Sequence, residues 1–300
     1  MKICVIFNPT ARGEKANRFR ERLGVWAAQC TLKPTLSAGA GRALAAESVR
    51  EGYEVIVAAG GDGTVNEVIN GIGDEPDGLR HVRFGVLPLG TVNVFAKELG
   101  LPGDLSRSWA VILKGDHTAI DLPYAEFSAA GRTARRSFAQ MAGSGLDSRA
   151  VERVSWEQKK RWGPLAYVFA FLKVLREGSP RIVVAIGDRT LTGELVLIGN
   201  GRFYGGKFPL FPKADWADGL LEVSVFPRVN AESILRSGWG LLTDQLYTVG
   251  GVHHFQTDSV SLFSATSAPF HLEGENVGQL PVKFAVQPRA LKVIVPTRVD

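Results

Sequence analysis

Val55-Ile-Val-Ala-Ala-Gly-Gly-Asp-Gly-Thr-Val-Asn-Glu-Val-Ile-Asn70 begins as a run of small and β-branched apolar residues and breaks at Gly60 into glycines, an acid and a helical pattern. It predicts a buried strand over Glu54–Ala59 and a helix from Thr64 to about Ile72, with Thr64 as its cap. Glycines let a backbone approach a ligand closely, and the free N–H groups of a helix start favour an anion. Asp62 sits awkwardly in that picture, because a carboxylate repels a phosphate unless a cation lies between them. Mg²⁺, which takes few carboxylates and keeps its waters, resolves the conflict. The alternative is a tight strand-to-helix turn capped by Asp62. That accounts for one or two glycines, and poorly for three around an acid followed by Asn66 and Glu67.

Working outward, Lys2–Phe7, Thr31–Leu36 and Arg83–Leu87 read as further strands. Helical patterns lie between and after them at Glu14–Gln29, about Gly41–Glu51 and about Val92–Leu99. Strands alternating with helices imply parallel βαβ units with right-handed crossovers. The loops Asn8–Gly13, Ser37–Gly41 and Pro88–Asn93 each follow a strand as the glycine-rich turn does. Together they would converge on one edge of a parallel sheet, where open α/β folds bind ligands, and they favour a nucleotide.

After Asp121 the pattern changes. Strand candidates are Arg135–Met141, Arg181–Ile186, Leu191–Ile198, Leu220–Phe226, Ser259–Ser264, Phe270–Glu273, Val282–Val286 and Leu291–Val295, with a hairpin turn at Gly187-Asp188. Many strands joined by turn chemistry suggest an antiparallel sandwich. Helical patterns at about Val151–Glu177 and Ala231–Leu246 interrupt it. The expected fold class is α/β: an N-terminal parallel-sheet nucleotide-binding domain plus a C-terminal β-rich sandwich domain. The boundaries are 1–121, joined by about 288–300, and 122–287.

Composition agrees with a globular chain. The 300 residues are 45% hydrophobic and 22% charged, which excludes a disordered or fibrous protein and suits two domains. A net charge of +5, spread along the chain, suits an anionic ligand or membrane surface and is too diffuse for nucleic acid. Cys4 and Cys30 are too few for a disulfide framework or a zinc site. Gly201-Arg-Phe-Tyr-Gly-Gly-Lys207 imitates a phosphate-binding loop, but Phe208 stands where Ser or Thr would hold magnesium. His253-His254 lacks a ligand cluster. The apolar run Ile3–Phe7 is a strand rather than a signal-peptide core, and Leu165–Leu175 is too short to cross a bilayer, so a cytoplasmic protein is expected.

The motifs Asn8-Pro9, Gly60-Gly-Asp-Gly-Thr-Val-Asn-Glu67, Pro88-Leu-Gly-Thr-Val-Asn93, Ala214-Asp-Trp-Ala-Asp-Gly-Leu220, Leu272-Glu-Gly-Glu275, Leu280-Pro-Val and Pro288-Arg-Ala-Leu occur in that order. They resemble the diacylglycerol kinase catalytic-domain family, specifically its bacterial lipid kinases, relatives of sphingosine kinases and more distantly of NAD kinases and phosphofructokinases. The resemblance covers nearly the whole chain. It implies ATP in a cleft between two domains and transfer of the γ-phosphate to a lipid hydroxyl. Residue by residue it implies ATP contacts from Gly61, Asp62, Gly63, Thr64, Val65, Asn66, Glu67 and Thr91, and more weakly from Asn8 and Ser37. It also implies a magnesium site at Asp215, Asp218 and Leu220, although Asp218-Gly219 could equally be only a turn.

Two departures stand out. The family's acid-Gly-Glu motif usually begins with Asp, the presumed general base, and here it is Glu273. Many relatives carry Asp where this chain has Val94, which leaves Asp62 and Asp121 to sustain an acid–water–magnesium network. These departures motivate a competing reading, a regulatory nucleotide- or lipid-binding protein with weakened catalysis. A kinase of a soluble substrate, of the NAD kinase type, is a third. A lipid acceptor would be met at a membrane, with Trp156–Trp162 as a basic, aromatic candidate for peripheral contact on the inner face. For Leu165–Leu175, packing inside the protein is the preferred reading.

Overall fold

The computed structural model describes the chain except residues 12, 147, 150–179, 205, 207, 231, 234–235, 237–239, 241–250 and 298–300. The expected helix Val151–Glu177, with Trp156–Trp162 and Leu165–Leu175, lies outside the described residues, as does most of Ala231–Leu246. The contacts divide the chain into two units. One comprises Met1–Leu122, Gly205–Lys207 and Gln287–Asp300, and the other Pro123–Tyr204 and Phe208–Val286.

The first unit alternates strand and helix: β1 (Ile3–Phe7), α1 (Glu14–Glu21), α2 (Leu23–Ala27), β2 (Thr31–Pro34), α3 (Ala40–Arg50), β3 (Val55–Gly60), α4 (Asp62–Asp74), α5 (Gly78–His81), β4 (Arg83–Pro88), α6 (Val94–Glu98) and α7 (Leu105–Lys114). The strands pair in parallel in the order β2-β1-β3-β4. β1 and β3 are buried along their whole length, which is why they read as continuous apolar runs rather than alternating ones. On one face, Phe7, Phe19, Trp26 and Trp109 form an aromatic chain with successive centroids 5.5, 5.4 and 4.6 Å apart. The helix expected over Glu14–Gln29 is two helices, because Arg22 leaves the helical region at φ −108°, ψ 14°.

The second unit begins within β5 (His117–Ala129) and continues through β6 (Arg132–Ser137), β7 (Met141–Gly145), β8 (Ile182–Ile186), β9 (Arg189–Gly193), β10 (Leu195–Gly199), β11 (Phe203–Tyr204), β12 (Phe208–Pro209), β13 (Leu221–Phe226), β14 (His253–Thr257), β15 (Ser259–Ser264), β16 (Pro269–Leu272), β17 (Glu275–Gln279) and β18 (Val282–Ile294). One sheet of this unit has the antiparallel order β14-β13-β10-β7-β16-β17. Opposite pairings join β15 to β8 and to the N-terminal half of β18, and β8 to β9. Phe127, Phe138, Phe270, Phe284, Val184, Val196 and Val223 belong to one buried cluster, the filling of a sandwich.

Several expected strands are redrawn. Leu191–Ile198 is two strands in different sheets, with a corner at Gly193, where a Cβ would lie 2.7 Å from Val225 Cγ1. Val282–Val286 and Leu291–Val295 are the two ends of one strand. Pro288 has no N–H to give a ladder, and Arg289, at φ +48°, donates its N–H to Asp121 Oδ1 at 2.7 Å instead. The C-terminal end of β18 belongs to the first unit, where Val293 pairs in parallel with Phe84.

Close packing of α3 on α4 depends on Gly71. A Cβ there would fall 2.1 Å from the Arg42 carbonyl oxygen and 2.7 Å from Ala45 Cβ. Alanine favours a helix interior over glycine by about 1 kcal/mol, but forcing the helices apart costs about 1–3 kcal/mol. Gly71→Ala should therefore lower the urea midpoint; an unchanged or raised midpoint would contradict this account of the α3–α4 contact.

Candidate active site

Helix α4 begins at Asp62, two residues earlier than expected, with Gly61 at the N-cap position and no side-chain cap. Thr64 is not the cap. Its side chain folds over Gly60, where a Cβ would sit 2.3 Å from Thr64 Oγ1. The first intrahelical bond runs from Val65 N–H to the Gly61 carbonyl at 3.1 Å, so the amides of Asp62, Gly63 and Thr64 are the groups an anion would meet. The Val65 side chain itself is buried in the core.

A second glycine turn packs against this one. A Cβ on Gly90 would lie 2.5 Å from Gly61 Cα, and the Gly60 carbonyl accepts the Leu89 and Gly90 N–H groups at 3.0 and 3.2 Å. Backbone meets backbone at Gly90, and the Thr64 side chain fills the space at Gly60, so the fold alone accounts for both glycines and their presence is not in itself a sign of a ligand. Asn93, at φ +53°, donates from Nδ2 to the Gly90 carbonyl at 2.6 Å and precedes α6. Asp62 Oδ1 accepts the Phe95 N–H at 3.1 Å. The acid thus caps the helix that follows the neighbouring turn, not its own.

The remaining expected nucleotide contacts separate into surface groups and scaffolding. Ser37 and Thr91 are exposed. Asn8 Oδ1 accepts both the N–H and the hydroxyl of Thr10, closing a loop turn. Asn66 is buried and its Oδ1 accepts from Asn70 Nδ2 at 3.0 Å. Glu67 accepts the Gly39 N–H on Oε1 at 2.8 Å and the Gly41 N–H on Oε2 at 2.9 Å. It is the cap that α3 lacks locally, since Gly39 has no side chain. Asp121 is fully buried and holds the Arg289 amide.

In the second unit, Glu273 lies in the turn of a hairpin rather than in a strand. Leu272 pairs with Glu275, and the two loop residues Glu273 and Gly274 have φ +53° and +76°. Two positive φ values are what a type I′ turn requires, a conformation that favours Asn, Asp and Gly and costs a longer side chain about 1 kcal/mol. The family's usual Asp fits this backbone better than Glu does. The Glu273 carboxylate is nevertheless fixed: Oε1 accepts the N–H groups of Ala139 and Gln140, both at 2.7 Å. Those two amides lie between β6, which pairs with β5, and β7, which pairs with β10 and β16 in another sheet, so the expected strand Arg135–Met141 is broken where the chain changes sheets. The Glu273 N–H donates to the Met141 carbonyl at 2.9 Å, tying the turn to the same segment.

The acids of Ala214–Leu220 form turns. Asp215 Oδ1 accepts the Ala217 N–H at 3.0 Å, and Asp218 Oδ1 accepts the Leu220 N–H at 2.9 Å beside Gly219 at φ +77°. Both aspartates thus serve as turn acceptors. Among the described residues no three His, Cys, Asp or Glu side chains cluster as metal ligands. Cys4 is buried, and burial pushes the Cys30 thiol up to about 11, which leaves neither suited to nucleophilic chemistry. Sequence reasoning missed the Ala139 and Gln140 amides and Asn200, which donates to the Ala139 carbonyl. Main-chain donors leave no residue signature, and only Gly-Asn-Gly over 199–201 hints at a special backbone.

A family model described as the diacylglycerol kinase catalytic domain matches residues 2–125, and one described as the YegS C-terminal NAD kinase beta sandwich-like domain matches residues 140–295. The chain belongs to the diacylglycerol kinase catalytic-domain family. Membership makes it a lipid kinase by class. It is 28% identical to a diacylglycerol kinase of Staphylococcus saprophyticus across 97% of this chain and 94% of that protein. A Staphylococcus carnosus diacylglycerol kinase is 26% identical over the same shares. In fold it resembles the crystal structure of a diacylglycerol kinase from Bacillus anthracis, with a TM-score of 0.69, 18% identity and coverage of 98% and 97%. Yeast NADH kinase complexed with NADH shares the fold more loosely, with a TM-score of 0.57, 8% identity and coverage of 100% and 84%. Among the described residues no helix is long and apolar enough to cross a membrane.

If Glu67 is a cap shared across two helices, Glu67→Ala should destabilise the protein by about 1–2 kcal/mol. It should also speed proteolytic cleavage within residues 37–41. An unaltered cleavage pattern with unaltered stability would contradict that role.

Proposed function

We propose that this lipid kinase transfers the γ-phosphate of ATP to the hydroxyl of a diacylglycerol-type lipid. The observation that carries the reading is the presence in one chain of two features: an α4 N-terminus without a side-chain cap that begins in a carboxylate, and, in the other unit, a carboxylate fixed by two main-chain donors. The first suits a polyphosphate and a divalent cation. The second suits a proton acceptor that keeps its position through turnover.

The donor set at α4 fits the nucleotide and its metal. The amides of Asp62, Gly63 and Thr64 would receive phosphate oxygens, and Asp62, half-buried with Oδ1 anchored on Phe95, would hold Mg²⁺ together with those phosphates. When bound, Mg²⁺ supplies charge neutralisation of the phosphate oxygens. Val94 contributes no carboxylate, so Asp62 carries this task without help from that position.

Glu273 takes the proton of the acceptor hydroxyl as that oxygen attacks the γ-phosphorus. The proton passes to the Glu273 carboxylate, which the Ala139 and Gln140 N–H groups hold in place through Oε1. The rigid turn offsets the extra methylene of Glu relative to Asp, because a fixed carboxylate is displaced rather than loosened. Phosphoryl transfer depends chiefly on such positioning. The lipid is met at a membrane surface, which calls for peripheral contact by the protein.

The test is incubation of the purified protein with γ-labelled ATP and vesicles containing diacylglycerol, followed by mass spectrometry of the lipids. Label is expected in a lipid phosphomonoester. Glu273→Gln should lower kcat at least about 100-fold while nucleotide affinity stays within twofold. Absence of label from every lipid, with ATP consumed on a soluble acceptor such as NADH, would overturn the reading. Full turnover by Glu273→Gln would remove that residue from the base role.

A further inference from the structure

Resting on the reading of Glu273 as the proton acceptor, we propose that Asn200 is the positioning residue that sets this carboxylate, acting through one peptide group. Asn200 Nδ2 donates to the Ala139 carbonyl at 3.1 Å. The N–H of the same peptide unit, on Gln140, donates to Glu273 Oε1 at 2.7 Å. A donor on the carbonyl side of a peptide polarises its N–H, so the two bonds strengthen one another. Asn200 also donates its main-chain N–H to the Gln140 carbonyl at 2.8 Å. Residues 139 and 140 are therefore gripped on both sides: their amides face Glu273 and their carbonyls face Asn200.

Chemistry fixes the orientation of the Asn200 amide. Only its NH₂ end can face a carbonyl oxygen, and its oxygen in that place would repel. Burial makes the arrangement demanding, since Asn200 is 2% exposed and water cannot substitute for a lost donor. Space is equally constrained next door, where a Cβ on Gly201 would lie 2.1 Å from Gln140 Oε1. Asn at 200 followed by Gly at 201 is thus what the local backbone needs to hold the 139–140 segment against Glu273. The carboxylate's own turn is strained at φ +53°, so this outer grip is what keeps a longer acid in a fixed position.

The experiment is a double-variant cycle on the full-length protein, with steady-state kinetics on labelled ATP and diacylglycerol vesicles. Asn200→Asp is isosteric and places an oxygen against the Ala139 carbonyl. It should lower kcat about 100-fold, with KM for ATP and lipid within twofold. Asn200→Ala, which keeps the main-chain bond to Gln140, should lower kcat about tenfold and serves if the aspartate variant fails to fold. In a Glu273→Gln background neither replacement should reduce the residual turnover further, because Asn200 acts only through that carboxylate. Unchanged kcat in Asn200→Ala, or losses that multiply in the double variants, would overturn the proposal. Full activity in Glu273→Gln alone would instead remove the base reading, and this inference with it.

Discussion

A carboxylate that accepts two adjacent main-chain N–H groups constrains everything around it. Glu273 takes Ala139 and Gln140 at the point where the chain passes from β6 to β7 in a different sheet, so their amides have no ladder partner to give up. It can reach them only from a tight hairpin turn with positive φ at two successive residues, which explains Gly274 beside it. The turn must in turn stay anchored, which the Glu273 N–H achieves by donating to Met141. One acid thus ties together a crossing between sheets, a hairpin turn and a local strain of about 1 kcal/mol. Strain that persists at a single side chain is more naturally associated with chemistry than with stability, for which Asp, Asn or Gly would serve better.

The first unit follows a different principle: backbone approach. Gly60 accommodates Thr64, and Gly90 lies against Gly61 with no space for a methyl group. The two turns that follow β3 and β4 are thereby joined, and Asp62 completes the link by capping α6. The result is a helix start whose leading amides are held by neighbouring structure instead of by a cap of their own. Glu67 does the same at one remove, bonding the Gly39 amide just before α3 and the Gly41 amide in its first turn, and so ordering the loop that carries Ser37. Much of the polar chemistry in the glycine-rich stretch is scaffolding for a few main-chain donors.

Much of the architecture was legible in the sequence because burial writes itself into composition. Val55–Gly60 and Ile3–Phe7 are apolar throughout because parallel strands are covered on both faces. The unbroken 13-residue β18 was not legible, because Pro288 looks like a terminator until Asp121 is seen to take the neighbouring amide. Helix α7 and strand β14 were also missed; in β14 only His253 and Gln256 are exposed and the other three residues are half-buried, without the clean alternation that marks a half-buried strand. At the site, side chains such as Asp62 and Glu273 could be named from their motifs, whereas their partners could not. The amides of Phe95, Ala139 and Gln140 are donors that any residue but proline would provide, so no residue type announces them.

The central claim is a single displacement, with Glu273 accepting a proton and never bonding to phosphorus. Stereochemistry at the transferred phosphorus tests it most directly. With ATP made chiral at the γ-phosphorus by oxygen isotopes, the account predicts inversion of configuration in the lipid product. Net retention would contradict it, since that outcome requires two successive displacements through a phosphorylated side chain.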